Sequence, residues 1–165
     1  MTMSYKCAYL RYAAYCFTII LVINKEINEV NKMEQVLKLL KENVNGFLAT
    51  VDNGKPRVRP FGFILEEDGK IYFCTSSKKD VYRQLLALPY IEYSATSKEM
   101  VTVRVSGEIK FCEDFAVKEK VMDVYEPIKK GYKSANNPLF KVFYIEHGVA
   151  MISDFSGQPS KKIDF

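Results

Sequence analysis

Arg57 and Arg59 stand two residues apart in the run KPRVRPFGF. In an extended strand this spacing puts both guanidiniums on one face, with Phe61 and Phe63 continuing it. Two cations held side by side call for an anion between or beside them. A solvated sheet face is the plainer use of the same pattern, and from this segment alone it is favoured. Pro60 shifts the balance, because a proline inside a strand withholds a ladder donor and marks an edge, a bulge or an approach by something other than a strand. Gly62 adds a second such mark. Further on, YFCTSSKK passes out of a strand through Thr75, Ser76 and Ser77 to Lys78 and Lys79. Free backbone N–H groups, hydroxyls and ammonium groups at a helix start form a ready site for phosphate. Simple N-capping by Ser76 or Ser77, with both lysines in water, is the even alternative. A third set, Thr102, Arg104 and Ser106, alternates along one strand face and is uninformative alone.

Other chemistries are limited by what is scarce. His147 is the only histidine, so a multi-histidine zinc site is excluded, and a Ser or Cys triad has one residue to be built around. The four cysteines, Cys7, Cys16, Cys74 and Cys112, contain no C-x-x-C pair and are expected to be reduced and mostly buried. No metal site is expected.

The elements that must position these residues read as one domain. The chain has 165 residues, 48% hydrophobic and 27% charged, which is a globular composition. Glu34 to Asn43 predicts a short helix stopped at Gly46. Two β-prone runs flank Asp52-Asn53-Gly54-Lys55, where Asn-Gly supplies the positive φ values of a tight hairpin. Glu66-Glu67-Asp68-Gly69 predicts a second turn, giving a three-strand meander by Cys74. A helix is expected from Lys78 to Leu88, with Val81, Leu85 and Leu88 as its apolar stripe and Pro89 ending it. A strand follows over Tyr90 to Thr96, and another in MVTVRVSGEIKF, whose Val101, Val103 and Val105 share a face. Asp114 to Tyr125 predicts a helix stopped by Pro127, then a loop. Lys141 to Glu146 and Val149 to Phe155 predict two strands hinged at His147-Gly148, before a turn-like basic tail. The total is about seven strands and three helices, a mainly β, largely antiparallel sheet expected to close into a barrel.

The first 32 residues stand apart. Tyr12 to Ile23 is an apolar run of twelve, short of the roughly 20 a membrane helix needs. Three readings are open for residues 1–32: a gene-start artefact or dispensable extension before a true start at Met33, a signal or anchor, or an integral helix.

The order of strand, turn, R-x-R-P-F-G-F strand, turn, Y-F-C-T-S-S-K-K, helix, strand and V-R-V-S-G resembles the pyridoxamine 5'-phosphate oxidase-like superfamily of FMN-binding split barrels. In length and style the chain is similar to the short nitroimidazole-resistance-type flavoproteins. The resemblance runs from Gly46 to Phe155 and implies a six-stranded antiparallel split β-barrel over residues 33–165. It also implies a homodimer with FMN at the interface. Arg59 and the backbone of Pro60, Phe61 and Gly62 match the strand that passes under the flavin. Thr75, Ser76 and Lys79 match the phosphate-binding turn, Lys78 is a second phosphate contact, and Arg57 falls at the phosphate or the cofactor's rim. Cys74 adjoins the turn and is counted with the cofactor-contacting residues, without a catalytic role. Thr102 falls where family oxidases often present Gln from the partner chain. No tryptophan is present to cover the flavin, and the tail holds lysines but no arginine, so the implied function is an FMN-dependent oxidoreductase acting on a small organic substrate rather than pyridoxamine-phosphate oxidation. The alternative is a non-catalytic flavin- or haem-binding module. His147 is expected to be a surface turn residue, and no catalytic residue is assigned.

The net charge of +4 divides between the two parts. Two of those charges precede Met33, so the basic character of the remainder is local. No helix-turn-helix, zinc finger or aromatic RNA-binding strand accompanies it, and neither nucleic acid nor membrane is expected as a partner. A cytoplasmic location is expected.

Overall fold

The structure, a computed structural model, describes the backbone of residues 3–165, and side chains from residue 18 onward except 26 and 29. It divides into two compact units, Met1–Gln35 and Val36–Phe165. The expected short helix is the last part of α1, Met3–Glu42, a 40-residue helix that also contains the apolar run. Among the described residues no helix is long and apolar enough to cross a membrane.

The second unit is mainly β. Its strands are β1 (Asn45–Asp52), β2 (Lys55–Gly62), β3 (Leu65–Glu67), β4 (Lys70–Ser76), β5 (Tyr90–Thr96), β6 (Thr102–Cys112), β7 (Phe140–Ser153) and β8 (Lys161–Asp164). The helices are α2 (Asp80–Ala87), α3 (Phe115–Val124) and α4 (Glu126–Tyr132). All ladders are antiparallel, in the order β2-β1-β5-β6-β7-β4-β3 with β8 on β7.

Turn chemistry acts as the sequence predicts. Asn53 and Gly54 take φ of 51° and 74°, pairing Asp52 with Lys55, and Asp68 and Gly69 repeat this with 53° and 74°. Successive positive φ values match the twist of the flanking strands. Gly46 is not a helix stop but the second residue of β1, where a Cβ would collide with the Ser94 carbonyl and the Tyr93 ring.

Six sequence-based expectations are corrected. The sheet does not close: β2 and β3 are its two edges. They are also consecutive parts of one segment, so the predicted meander breaks between them. Phe63 N–H bonds Val44 O on the β1 side, whereas Ile64 N–H bonds Tyr72 O on the β4 side. One bent segment therefore serves both ends of a split barrel. The two late strands are one, β7, because Gly148 lies against Gly107 and a bulge there absorbs the offset without ending the ladder. The tail is not merely turn-like, since β8 buries Ile163 on β7. Pro127 does not lead into a loop but opens α4, where its missing N–H is not needed. Finally, Ser76 and Ser77 do not cap α2, whose N-cap is Lys79 without a side-chain cap bond. Ser76 Oγ instead accepts from Lys78 N–H, and Ser77 N–H bonds Leu139 O.

Alternation sorts the residues into layers. Leu48, Phe73, Tyr93, Val103, Val105 and Phe143 fill the barrel interior. Phe143 lies 5.6 Å from the Phe73 ring, 6.0 Å from Phe61 and 6.2 Å from Phe111. The opposite face of β4 and β7 packs under α3 and α4, with Tyr72, Val121, Met122 and Phe140 buried together. Asp114 caps α3 by accepting from Ala116 N–H and Val117 N–H.

Candidate functional site

Paired strand residues share a face, so Arg59, opposite Leu48, projects to the interior side of the sheet. Thr50 lies one pair further along β1, and α2 closes over this corner with Val81, Gln84 and Leu85 buried. Of the predicted apolar stripe, Leu88 is exposed, and the polar Gln84 sits in the buried face instead, only 3% exposed.

A small network forms where these elements meet. Arg59 Nη1 donates to Thr50 Oγ1 at 2.6 Å and Nη2 to Gln84 Oε1 at 2.8 Å, with Leu48 O at 3.4 Å. Thr50 Oγ1 donates to Gln84 Oε1 at 2.7 Å, and Gln84 Nε2 donates to Asp52 Oδ2 at 3.4 Å. Every acceptor of Arg59 is therefore neutral. Burial, and next the nearby charge of Arg57, pull the Arg59 pKa below its ordinary value. A guanidinium keeps its proton regardless, so the consequence is a half-buried cation with no carboxylate in hydrogen-bond contact, Asp80 acting on it only at longer range.

Asp52 is held elsewhere. Arg83 grips it with two bonds of 3.0 and 3.1 Å, and Arg57 Nε stands 3.8 Å from it. The Arg83 hydrogen bonds are the main reason its carboxyl lies below the usual range. Arg57, Arg59 and Lys79 line one cleft of about 460 Å³ together with Asp52, Asp80 and Gln84. Asp80 is 86% exposed and touches Arg83 rather than Arg59. The cleft is a cationic concavity at the start of α2, suited to an anion.

The structure thus brings together Arg57, Arg59 and Lys79 of the predicted set. Gly62 lies three residues along β2, about 10 Å at strand rise. It borders a smaller apolar pocket of about 260 Å³ with Val44, Phe63, Ile64 and Tyr125. Pro60 is exposed on the outer face, and the Phe61 ring packs inside on Phe73 and Phe143. Lys78 is exposed and does not line the cleft. Thr75 is 2% exposed at the end of β4, and its Oγ1 has no partner. Cys74 and Ser76 alternate to the other face of β4, where Cys74 packs beneath α3 and α4. Thr102 is on the sheet's outer face, bonded to Thr96 at 3.0 Å, on the other side of the sheet from Arg59. His147 is exposed in the bulge of β7 rather than in a turn. Among the described residues no group of His, Cys, Asp and Glu is placed to hold a metal ion.

Burial raises the Cys74 thiol pKa to about 12, a shift the Lys79 charge only partly offsets. Thiolate is the reactive form, so at pH 8 Cys74 is held almost wholly as the unreactive thiol. Native protein treated with iodoacetamide is expected to keep Cys74 unmodified until denaturant is added, as read by peptide mass spectrometry. Rapid native labelling would contradict this placement.

Sequence reading missed Thr50, Asp52, Arg83 and Gln84. Gln84 carried a usable signal: it falls between Val81 and Leu85 on the buried helical face, where an amide must find partners.

The pyridoxamine 5'-phosphate oxidase family matches residues 33–147. Among solved structures, the chain is similar to a NimC/NimA family protein from Clostridium acetobutylicum. That similarity has 31% identity and a TM-score of 0.72, over 81% of this chain and 92% of that one. It is also similar to general stress protein 26 from Bacillus anthracis, at 19% identity and a TM-score of 0.67, over 80% and 97% of the two chains. A heme binding protein from Mycobacterium smegmatis shares the fold at 19% identity and a TM-score of 0.64, over 78% and 56%. No curated protein sequence matches significantly.

Proposed function

Because this chain belongs to the pyridoxamine 5'-phosphate oxidase family, we propose that its cationic cleft binds the phosphate of FMN and that the protein is a flavin-dependent oxidoreductase. The observation that carries this reading is Arg59, a half-buried guanidinium whose bonds all go to neutral acceptors beside Lys79 and Arg57. A phosphate monoester supplies the missing charge and accepts from the outward edge of the guanidinium. The unpartnered Thr75 hydroxyl, where β4 hands over to α2, is a second group awaiting a polar partner. On these two observations the residues fit a phosphate-bearing cofactor.

Arg59 and Lys79 then hold the phosphate, Arg57 steers it, and the β2 backbone from Pro60 to Gly62 lies along the ligand. The apolar pocket beside Gly62 suits the uncharged ring end and a small organic substrate. FMN, once bound, supplies the hydride or electron transfer, while the protein supplies grip, orientation and exclusion of water. Lys78 and Ser76 are second contacts only if the turn before α2 adjusts on binding.

The same reading includes a homodimer. Phe47 and Val58 stand 57% and 65% exposed on the outer face of the β1–β2 ladder, the side that also carries Thr102. Pairing of two copies through this face covers them. For haem no observation speaks: His147, the single histidine, is exposed on β7 and absent from both concavities.

Protein purified natively, or mixed with FMN and desalted, is expected to show the two flavin absorption bands, to bleach on adding dithionite, and to elute at twice the 19.0 kDa chain mass. A colourless protein that fails to retain added FMN rejects the flavin reading. A Soret band would replace it with haem.

A further inference from the structure

We propose that Gln84 is a positioning residue that keeps the cleft selective for a phosphate monoester by holding Arg59 with a neutral oxygen. This rests on the reading of the cleft as the flavin-phosphate site. Gln84 is 3% exposed on α2, 25 residues from Arg59 in sequence, and its amide orientation is determined by its neighbours. Oε1 accepts from both Thr50 Oγ1 and Arg59 Nη2, while Nε2 donates to Asp52 Oδ2. A flipped amide would face an arginine donor with N–H groups, so only one orientation satisfies all three.

The arrangement does two things. It aims the guanidinium without neutralising it, because an amide oxygen is an acceptor that carries no net charge. It also occupies, together with Arg83, the carboxylate of Asp52. Asp52 bonds Arg83 and Gln84 and does not reach Arg59. A glutamate at position 84 has nearly the same shape and offers the same acceptor to Arg59, but it adds an internal counter-ion. The ligand phosphate would then have to compete with a carboxylate already in contact and would face its repulsion. Charge, rather than shape, is what this residue contributes.

The test titrates FMN and riboflavin, which differ only in the phosphate, by flavin fluorescence quenching against the wild-type protein, Gln84→Glu and Gln84→Met. Gln84→Glu is expected to weaken FMN at least about tenfold and riboflavin less than about twofold, since only FMN carries the competing charge. Gln84→Met removes the acceptor without adding charge and is expected to weaken FMN by no more than about threefold. Equal losses in the two variants, or equal losses for the two ligands, would reduce Gln84 to a packing residue and overturn the proposal. Should Gln84→Glu fail to give a cooperative melt, Thr50→Asp places the carboxylate on Arg59 from β1 and is expected to show the same FMN-specific loss. Pyrophosphate separates this proposal from the flavin reading. If it raises the wild-type melting temperature but not that of Gln84→Glu, while no flavin binds, the flavin reading falls and the role of Gln84 stands. If it shifts both equally or neither, the role of Gln84 falls.

Discussion

Truncating Arg59 to alanine is expected to weaken FMN binding by about 1–3 kcal/mol, roughly fivefold to 150-fold, the cost of losing one charge-assisted bond in a partly desolvated site. The fold should survive the change. Thr50 Oγ1 and Gln84 Oε1 remain bonded to each other at 2.7 Å, so the truncation leaves neither without a partner. Lys79→Ala is expected to act in the same direction but nearer the lower limit, because its ammonium group is exposed at the start of α2 and is screened by salt. Titrations at two ionic strengths should therefore separate them, with the Lys79 effect shrinking in high salt and the Arg59 effect largely persisting. Thermal melts run in parallel distinguish lost binding from lost fold. Unchanged affinity in both variants would remove the phosphate from this cleft, even if the flavin were found elsewhere.

The largest effect on stability is expected at Phe143. This residue is fully buried on β7, the strand that pairs with β4, β6 and β8, and its ring meets those of Phe61, Phe73 and Phe111. Replacement by alanine removes a whole ring from a rigid sheet interior that cannot collapse around the void. The cost is expected to be about 3–5 kcal/mol, transfer and cavity terms together. Against a typical domain stability of about 5–15 kcal/mol, that brings the protein close to its unfolding threshold. Urea denaturation should show a lower midpoint with an unchanged slope. A loss under about 1 kcal/mol would mean that the aromatic cluster does not form the barrel core. Because Phe61 belongs to both this cluster and the strand that lines the cleft, Phe143→Ala is also expected to loosen the footing of Arg59 and Gly62.

These two sites show where local sequence suffices and where it does not. The β1–β2 hairpin was legible because Asn53-Gly54 favours the required positive φ values over almost any other pair, and the same holds for Asp68-Gly69. Strict alternation placed Val103 and Val105 inside and Arg104 outside. The period of two set Arg57 and Arg59 on one face, and the serine and lysine run announced the start of α2 close to where it lies. The family resemblance supplied the split barrel from the order of these pieces, and the match over residues 33–147 confirms the family.

Longer-range relations were not legible. Pro127 reads as a stop from its own chemistry, yet the first turn of a new helix is equally compatible with a missing N–H. Seven strands became eight, and the expected closed barrel became an open ladder, because Phe63 and Ile64 choose opposite neighbours. Cys74, Thr75 and Ser76 are consecutive residues of one motif, but β alternation sends the first and last to the helix layer and only Thr75 to the interior.

The sequence by itself determined that this chain carries a pair of arginines on one strand face and a lysine at a helix start, since both follow from fixed backbone periods. Only the tertiary structure decided that Arg59 would meet Thr50 and Gln84, from β1 and α2, while Arg83 withdrew Asp52. Those partners lie 9 to 34 residues apart. No local preference specifies such contacts; burial of the Val81 and Leu85 face of α2 against the sheet does, and a guanidinium bonded only to neutral acceptors is its result.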